Sequence, residues 1–183
     1  MKPSMNIVIA ALLCAGAAAW AQTSPYAGQE QRAIKALSNQ EVSALLAGQG
    51  AGFAKAAELN GYPGPMHVLE LADRLSLSAE QRSATQRLMS EHKERARSLG
   101  AGVVNAEREL DNIFAQRTAA PDAVETATRR VALLQAELRA EHLKTHLAQT
   151  ALLELEQVRL YGVLRGYAEG GAGLHNNADH HQK

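Results

Sequence analysis

The sequence predicts an all-α protein organised around a long antiparallel helical hairpin. Three observations carry that expectation. Apolar or small residues recur at spacings of three and four in Leu88, His92, Ala96, Leu99, Val103, Ala106, Leu110 and Ile113, a period that fits one helix face and no strand. The same spacing returns in Val124, Ala127, Val131, Leu134, Leu138, Glu141, Thr145 and Ala148. Between the two runs lies one short break, Thr118-Ala119-Ala120-Pro121-Asp122, and a break this short folds two helices back as an antiparallel pair.

The chain opens with a segment that stands outside that fold. Lys2, an apolar run from Ile7 to Ala18 and then Ala19-Trp20-Ala21 have the order of a secretory leader: a charged start, an apolar stretch too short to span a bilayer and a small-x-small cleavage site. Cleavage is expected after Ala21, with export to the periplasm. Cys14 invites a lipoprotein reading, but Leu13 stands where lipid modification wants a small residue. No later run is long or apolar enough to cross a membrane. Once Cys14 is removed the chain has no cysteine, so an exported protein of this kind must be held by packing alone.

Lys and Arg, 19 in all, balance 19 Asp and Glu. That balance argues against nucleic acid as a partner. Four Tyr and two Phe remain after Trp20 is lost, few for a compact mixed core and ordinary for an Ala/Leu/Glu/Arg-rich helical chain.

Residues 22–74 read as short N-terminal helices. Pro25 to Leu46 is helical text with Ile34, Leu37, Val42, Leu45 and Leu46 on its apolar face. Ser38-Asn39-Gln40-Glu41 is a capping box, so one short helix ends at Leu37 and another starts at Ser38. Gly48, Gly50 and Gly52 punctuate the chain. Phe53 to Leu59 is a further turn or two, stopped by Asn60-Gly61. Tyr62-Pro63-Gly64-Pro65 is a rigid turn, and Met66 to Leu75 is helical again, with Val68, Leu69, Leu71, Ala72 and Leu75 buried. Pieces this short are not stable alone and must pack on the hairpin or on a second copy of it.

Residues 75–168 hold the hairpin and a C-terminal helix. Ser78 can cap the first free N–H groups while Gln81 reaches back to the cap backbone. No proline interrupts the following stretch for about 40 residues, enough for roughly 60 Å of helix. Gly100 and Gly102 sit inside it and mark local flexibility or a close helix approach. Pro121 suits the first position of the second arm, and Asp122 suits that helix's positive end. The last helix runs from Leu152 to Tyr167 with Leu155, Val158, Tyr161 and Leu164 on one side. Nothing between Gln149 and Glu154 clearly stops a helix, so continuity with the second arm stays open. Gly170-Gly171-Ala172-Gly173 ends it, and residues 169–183 read as a disordered tail carrying His175, His180 and His181.

Two five-residue stretches now matter: Leu77-Ser78-Ala79-Glu80-Gln81 and Leu153-Glu154-Leu155-Glu156-Gln157. They resemble the repeated Leu-Thr-x-x-Gln signature of the periplasmic Spy/CpxP family, whose relatives include the metal-responsive ZraP and CnrX proteins. Ser78 keeps the hydroxyl of the signature and Glu154 replaces it. The resemblance covers roughly residues 75 to 167, and Leu77, Ser78, Gln81, Leu153 and Gln157 are its motif positions. It implies an all-α fold, often a cradle-shaped antiparallel dimer, and one of two tasks: ATP-independent holding of unfolded envelope proteins, or metal sensing.

The residues themselves carry no enzyme constellation: no phosphate loop, no nucleophile elbow, no Cys nucleophile and no His-Glu-x-x-His motif. Two other sets stand out. His142 and His146 are four apart and share a helix face. If the turn centres near Ala119-Ala120, His92 falls beside His146 and within a turn of His142. Three imidazoles, with Met89, Glu91 or Glu141 nearby, suit zinc, copper or nickel. The bland alternative is helix histidines without metal. The second set is a client-binding surface of Leu88, Met89, Arg95, Leu99, Val103, Leu143 and Leu147, apolar area edged by basic side chains. The alternative is that its apolar part is simply the hairpin seam. Leu133 and Leu134 are adjacent, however, and adjacent residues cannot share one seam. The N-terminal helices, a second subunit or a client must cover the other face.

Together these point to an ATP-independent chaperone or envelope-stress accessory that binds unfolded clients as a homodimer and requires no cofactor. A metal-binding sensor or buffer using a divalent transition metal at His92, His142 and His146 is the alternative. A structural partner of a membrane sensor's periplasmic domain is a further one.

Overall fold

A computed structural model describes residues 24–167. The leader with Cys14 and the His-bearing tail lie outside the described residues. Among the described residues there are six α-helices: α1 (Asn39–Leu46), α2 (Lys55–Glu58), α3 (Pro65–Glu70), α4 (Ala79–Ala115), α5 (Pro121–Ala151) and α6 (Leu155–Leu164). Among the described residues there is no strand, only an isolated bridge between Ile34 and Leu37.

The two long helices dominate. α4 has 37 residues and α5 has 31, about 55 Å and 46 Å at 1.5 Å per residue. α4 starts where its capping box predicts: Ser78 Oγ accepts from Gln81 N at 3.1 Å, and Gln81 Oε1 accepts from Ser78 N at 3.0 Å. It ends with Arg117 in the left-handed region (φ 57°), while Thr118 N donates to Ile113 O at 3.0 Å. That bond satisfies one of the last free carbonyls of the helix. Pro121 occupies the first turn of α5, where its missing N–H costs nothing.

Contacts between α4 and α5 pair residues in opposite order along the two helices. Thr85 meets Gln149, His92 meets Thr145, and Glu107 meets Gln135. The main core is built from Ala96, Val103, Val104 and Ala106 of α4 with Val131, Leu134 and Leu138 of α5, plus Ile34 and Leu45. α1 sits directly on α4 at Gly100, where a Cβ would collide with the carbonyl of Leu45. Of the two roles open to Gly100, close helix approach is the one it fills.

A second, smaller core gathers Val68, Leu75 and Tyr161, with Leu71, Leu77, Leu153 and Leu164 against it. It closes the end of the molecule where α4 begins and α6 departs from α5.

Several boundaries differ from expectation. Residues 25–37 do not form a helix; they make turns and a 3₁₀ segment at Gln29–Gln31 behind left-handed Gly28. No side chain caps that segment, and it is too short to pay its own nucleation cost. The stretch from Phe53 is helical only over Lys55–Glu58, and Met66–Leu75 only over Pro65–Glu70. Beyond Glu70 the chain turns tightly, with Ser76 at φ 51°. The last helix is not continuous with α5. α5 ends at Ala151, and α6 starts behind Glu154, whose backbone N donates to Gln157 Oε1 at 2.9 Å. α6 stops at Leu164, before left-handed Gly166.

Candidate functional site

The histidines converge in part. The rings of His92 and His142 meet edge to face, centroids 4.6 Å apart, and Phe53 stacks on His142 at 5.7 Å. His92 Nδ1 lies 3.1 Å from Glu141 Oε1 and 2.9 Å from Thr145 Oγ1. A carboxylate only accepts, so Nδ1 carries the proton. Thr145 Oγ1 donates to the Glu141 carbonyl at 2.9 Å. Arg95 Nε donates to Glu141 Oε1 at 2.9 Å. Burial by itself would raise the Glu141 carboxyl; the hydrogen bonds from Arg95 and His92 outweigh it and hold the group below its usual range. Burial lowers His142 to about 4, helped by the neighbouring His92 and His146, so its imidazole is neutral at pH 7. Its Nε2 is buried without a hydrogen-bond partner.

His146 takes a different path. Its Nδ1 donates to the carbonyl of Tyr62 at 2.8 Å, and its ring fills the space a side chain at Gly64 would need. Glu58 Oε2 stands 3.6 Å from the same nitrogen. The three imidazoles therefore do not form the shared shell that the spacing suggested. Among the described residues no three His, Cys, Asp or Glu side chains are grouped to hold a metal ion. The physical reason is the Tyr62-Pro63-Gly64-Pro65 turn, which lies against α5 and draws the His146 ring to its own carbonyl.

Glu58 is a residue that sequence reasoning missed. Its Oε1 accepts from Tyr161 OH at 2.6 Å and from Tyr167 OH at 3.2 Å, and Arg165 Nε approaches to 3.5 Å. Tyr161 is buried, and burial, then Glu58, pushes its phenol well above the usual range. No local signal could have paired residues separated by 103 positions.

The candidate client-binding residues divide. Val103 is 1 % exposed and belongs to the main core; it cannot meet a client without unfolding. Leu99 packs partly against the same core, and Arg95 is engaged with Glu141. Leu88, Met89 and Leu143 are half-buried. Leu147 is 54 % exposed, and Leu133, outside the expected set, is 52 % exposed. With Ala136, Ala140 and Leu143 these two form a line along α5 at helical spacing. The line runs opposite the face carrying Val131, Leu138, His142 and Gln149. Lys144 borders it.

The motif residues have a physical role. Leu77 and Leu153 pack on the second core. Gln81 Nε2 donates to Gln157 Oε1 at 2.8 Å, and Gln157 Nε2 returns a bond to Gln81 Oε1 at 3.0 Å. Each amide has a further pair of partners: Leu152 O and Ser78 N for Gln81, Leu75 O and Glu154 N for Gln157. The two motif copies thus lock the starts of α4 and α6 to each other.

Comparison with protein-family models, with curated proteins and with solved structures finds no match. Among the described residues no helix is long and apolar enough to cross a membrane.

Proposed function

We propose that this protein is an ATP-independent holding chaperone of the Spy/CpxP kind, exported to the periplasm, that shields apolar segments of unfolded proteins. The single observation that carries this reading is the apolar line Leu133, Ala136, Ala140, Leu143 and Leu147 on α5, exposed at Leu133, Ala136 and Leu147 and half-buried between them. α1 and α3 pack on α4, and α2 and α3 reach α5, yet this line stays open. Such a stripe on a stable helix offers apolar area without a shaped pocket, which suits weak, adaptable contacts with many sequences. Binding by burial needs no cofactor, and release follows when the client buries the same groups itself. The finer architecture, an antiparallel cradle-like homodimer presenting two such stripes, belongs to this reading.

The test is light scattering of a chemically denatured client diluted into chelator-containing buffer with the leaderless protein. Aggregation is expected to fall with added protein. The double variant Leu133→Gln/Leu147→Gln, whose sites are already exposed, is expected to keep its helical circular dichroism and lose most of the suppression. Absence of suppression by the unmodified protein, or full suppression by the double variant, would overturn the reading.

A further inference from the structure

Away from the α5 stripe, a cavity of about 640 Å³ opens between the loop 48–52, α3 and the facing sides of α4 and α5. That volume lies in the range of small-molecule sites. Its walls combine two chemistries. Ala47, Ala54, Pro65, Met66 and Met89 are apolar, whereas Lys55, Lys93, Arg97 and Arg165 are cationic. Glu58 is the only carboxylate among the lining residues; its Oε1 is engaged by Tyr161 and Arg165, and its Oε2 is buried 3.6 Å from His146 Nδ1 without a hydrogen-bond partner. Among the described residues Lys55, Lys93 and Arg97 have no carboxylate partner within ion-pair distance. The whole chain carries a formal net charge of zero, so the surplus of cationic over acidic side chains in this lining is local to the cavity.

The loop is built to lie close. Gly48 is left-handed (φ 65°), and a Cβ there would stand 3.1 Å from Arg97 Cγ and from Lys93 O. Only a residue without a side chain lets the loop backbone rest on this stretch of α4. The far wall carries the imidazoles of His92, His142 and His146.

We infer that this cavity binds a small organic anion with an apolar body, its head held by Lys93 and Arg97 and its body against Met66 and Met89. Arg97 suits a carboxylate or a phosphate because its planar fork can make paired bonds to either. The inference stands apart from the holding function, since none of the exposed leucines of α5 lines the cavity.

Calorimetric titration of the full protein in chelator tests it, with octanoate, octyl phosphate, octyltrimethylammonium and inorganic phosphate as probes. A single saturable site for octanoate or octyl phosphate is expected, and the tighter of the two identifies the head. The cation with the same tail is expected to bind about tenfold more weakly or worse. Lys93→Ala/Arg97→Ala, at two exposed positions, is expected to weaken the anion by about tenfold with circular dichroism unchanged. Leu133→Gln is expected to leave it unaltered. The inference falls if neither anion binds, if the cation binds equally, or if the double variant binds as before. Inorganic phosphate binding as tightly as the tailed anions would remove the apolar body. Loss in Leu133→Gln alone would move the site to the stripe.

Discussion

The seam between α4 and α5 has two unlike segments. Toward the α5–α6 break it is polar: Thr85 and Gln149 are both fully buried and hydrogen-bonded at 3.2 Å, followed by His92, Thr145 and His142. Toward the tip it is apolar and small, with Ala96, Val103, Val104, Val131, Leu134 and Leu138. Glu107 is the exception there, a carboxyl pushed up by burial with only Gln135 at 3.5 Å. The comparison separates two jobs. Apolar packing stabilises the pair but tolerates sliding, because dispersion has no direction. Buried hydrogen bonds add little net stability and punish any other alignment, because each orphaned polar group costs about 1–3 kcal/mol. Register is therefore specified mainly by the polar segment, and cohesion mainly by the apolar one.

The sharpest way to break the apolar segment is Gly100→Ala. The new Cβ meets backbone, not a side chain that can swing away, so α1 must lift from α4. Stability is expected to fall by about 3 kcal/mol, read as a lower urea midpoint. An unchanged midpoint would mean that α1 contributes little to the core. The polar end is next in size. Gln157→Ala strips partners from Gln81, Leu75 O and Glu154 N, and about 2 kcal/mol is expected to be lost. Hydrogen exchange should then speed first in α6 and the start of α4, leaving residues 96–104 protected. Uniform acceleration would show that the two segments unfold as one.

Acid should separate the segments with a smaller effect. His142 has a folded value of about 4 against an ordinary 6.5. A lowered value means the unfolded chain binds the proton first, so stability is complete above about 6.5 and drains as pH falls toward 4. Glu141 offsets part of this by favouring the imidazolium. The pH slope of the denaturation midpoint in that window is expected to shrink in His142→Gln, and to persist in a variant confined to the apolar segment such as Val131→Ala. Equal slopes in His142→Gln and the unmodified protein would sink the assignment.

How much of this was legible depended on how local the signal was. The starts of α1, α4 and α5 were readable from Ser38, Ser78 and Pro121, because caps act within one turn. The adjacency of Leu133 and Leu134 announced a face that the seam could not bury, and Leu133 is indeed exposed. The break at Leu152–Glu154 was not readable as a stop, because Glu is a good helix former in mid-helix. Hairpin arithmetic brought His92 to this stretch of α5 but set it beside His146, whereas its ring meets His142. The diversion of His146 was not readable, since it depends on where the Tyr62 turn comes to rest. Residues 25–37 carried apolar residues at plausible spacing, but nothing in that spacing reveals that no cap secures the segment.

The exchange between Gln81 and Gln157 has a consequence for how such a chain can vary over time. Each amide offers the donor the other needs and accepts the donor the other offers, much as paired bases do. A glutamate at either position supplies no donor, and a leucine supplies nothing at all. A change at one site alone therefore leaves hydrogen-bonding groups of the other without their partners. Two positions 76 apart in the chain are in this sense a single character.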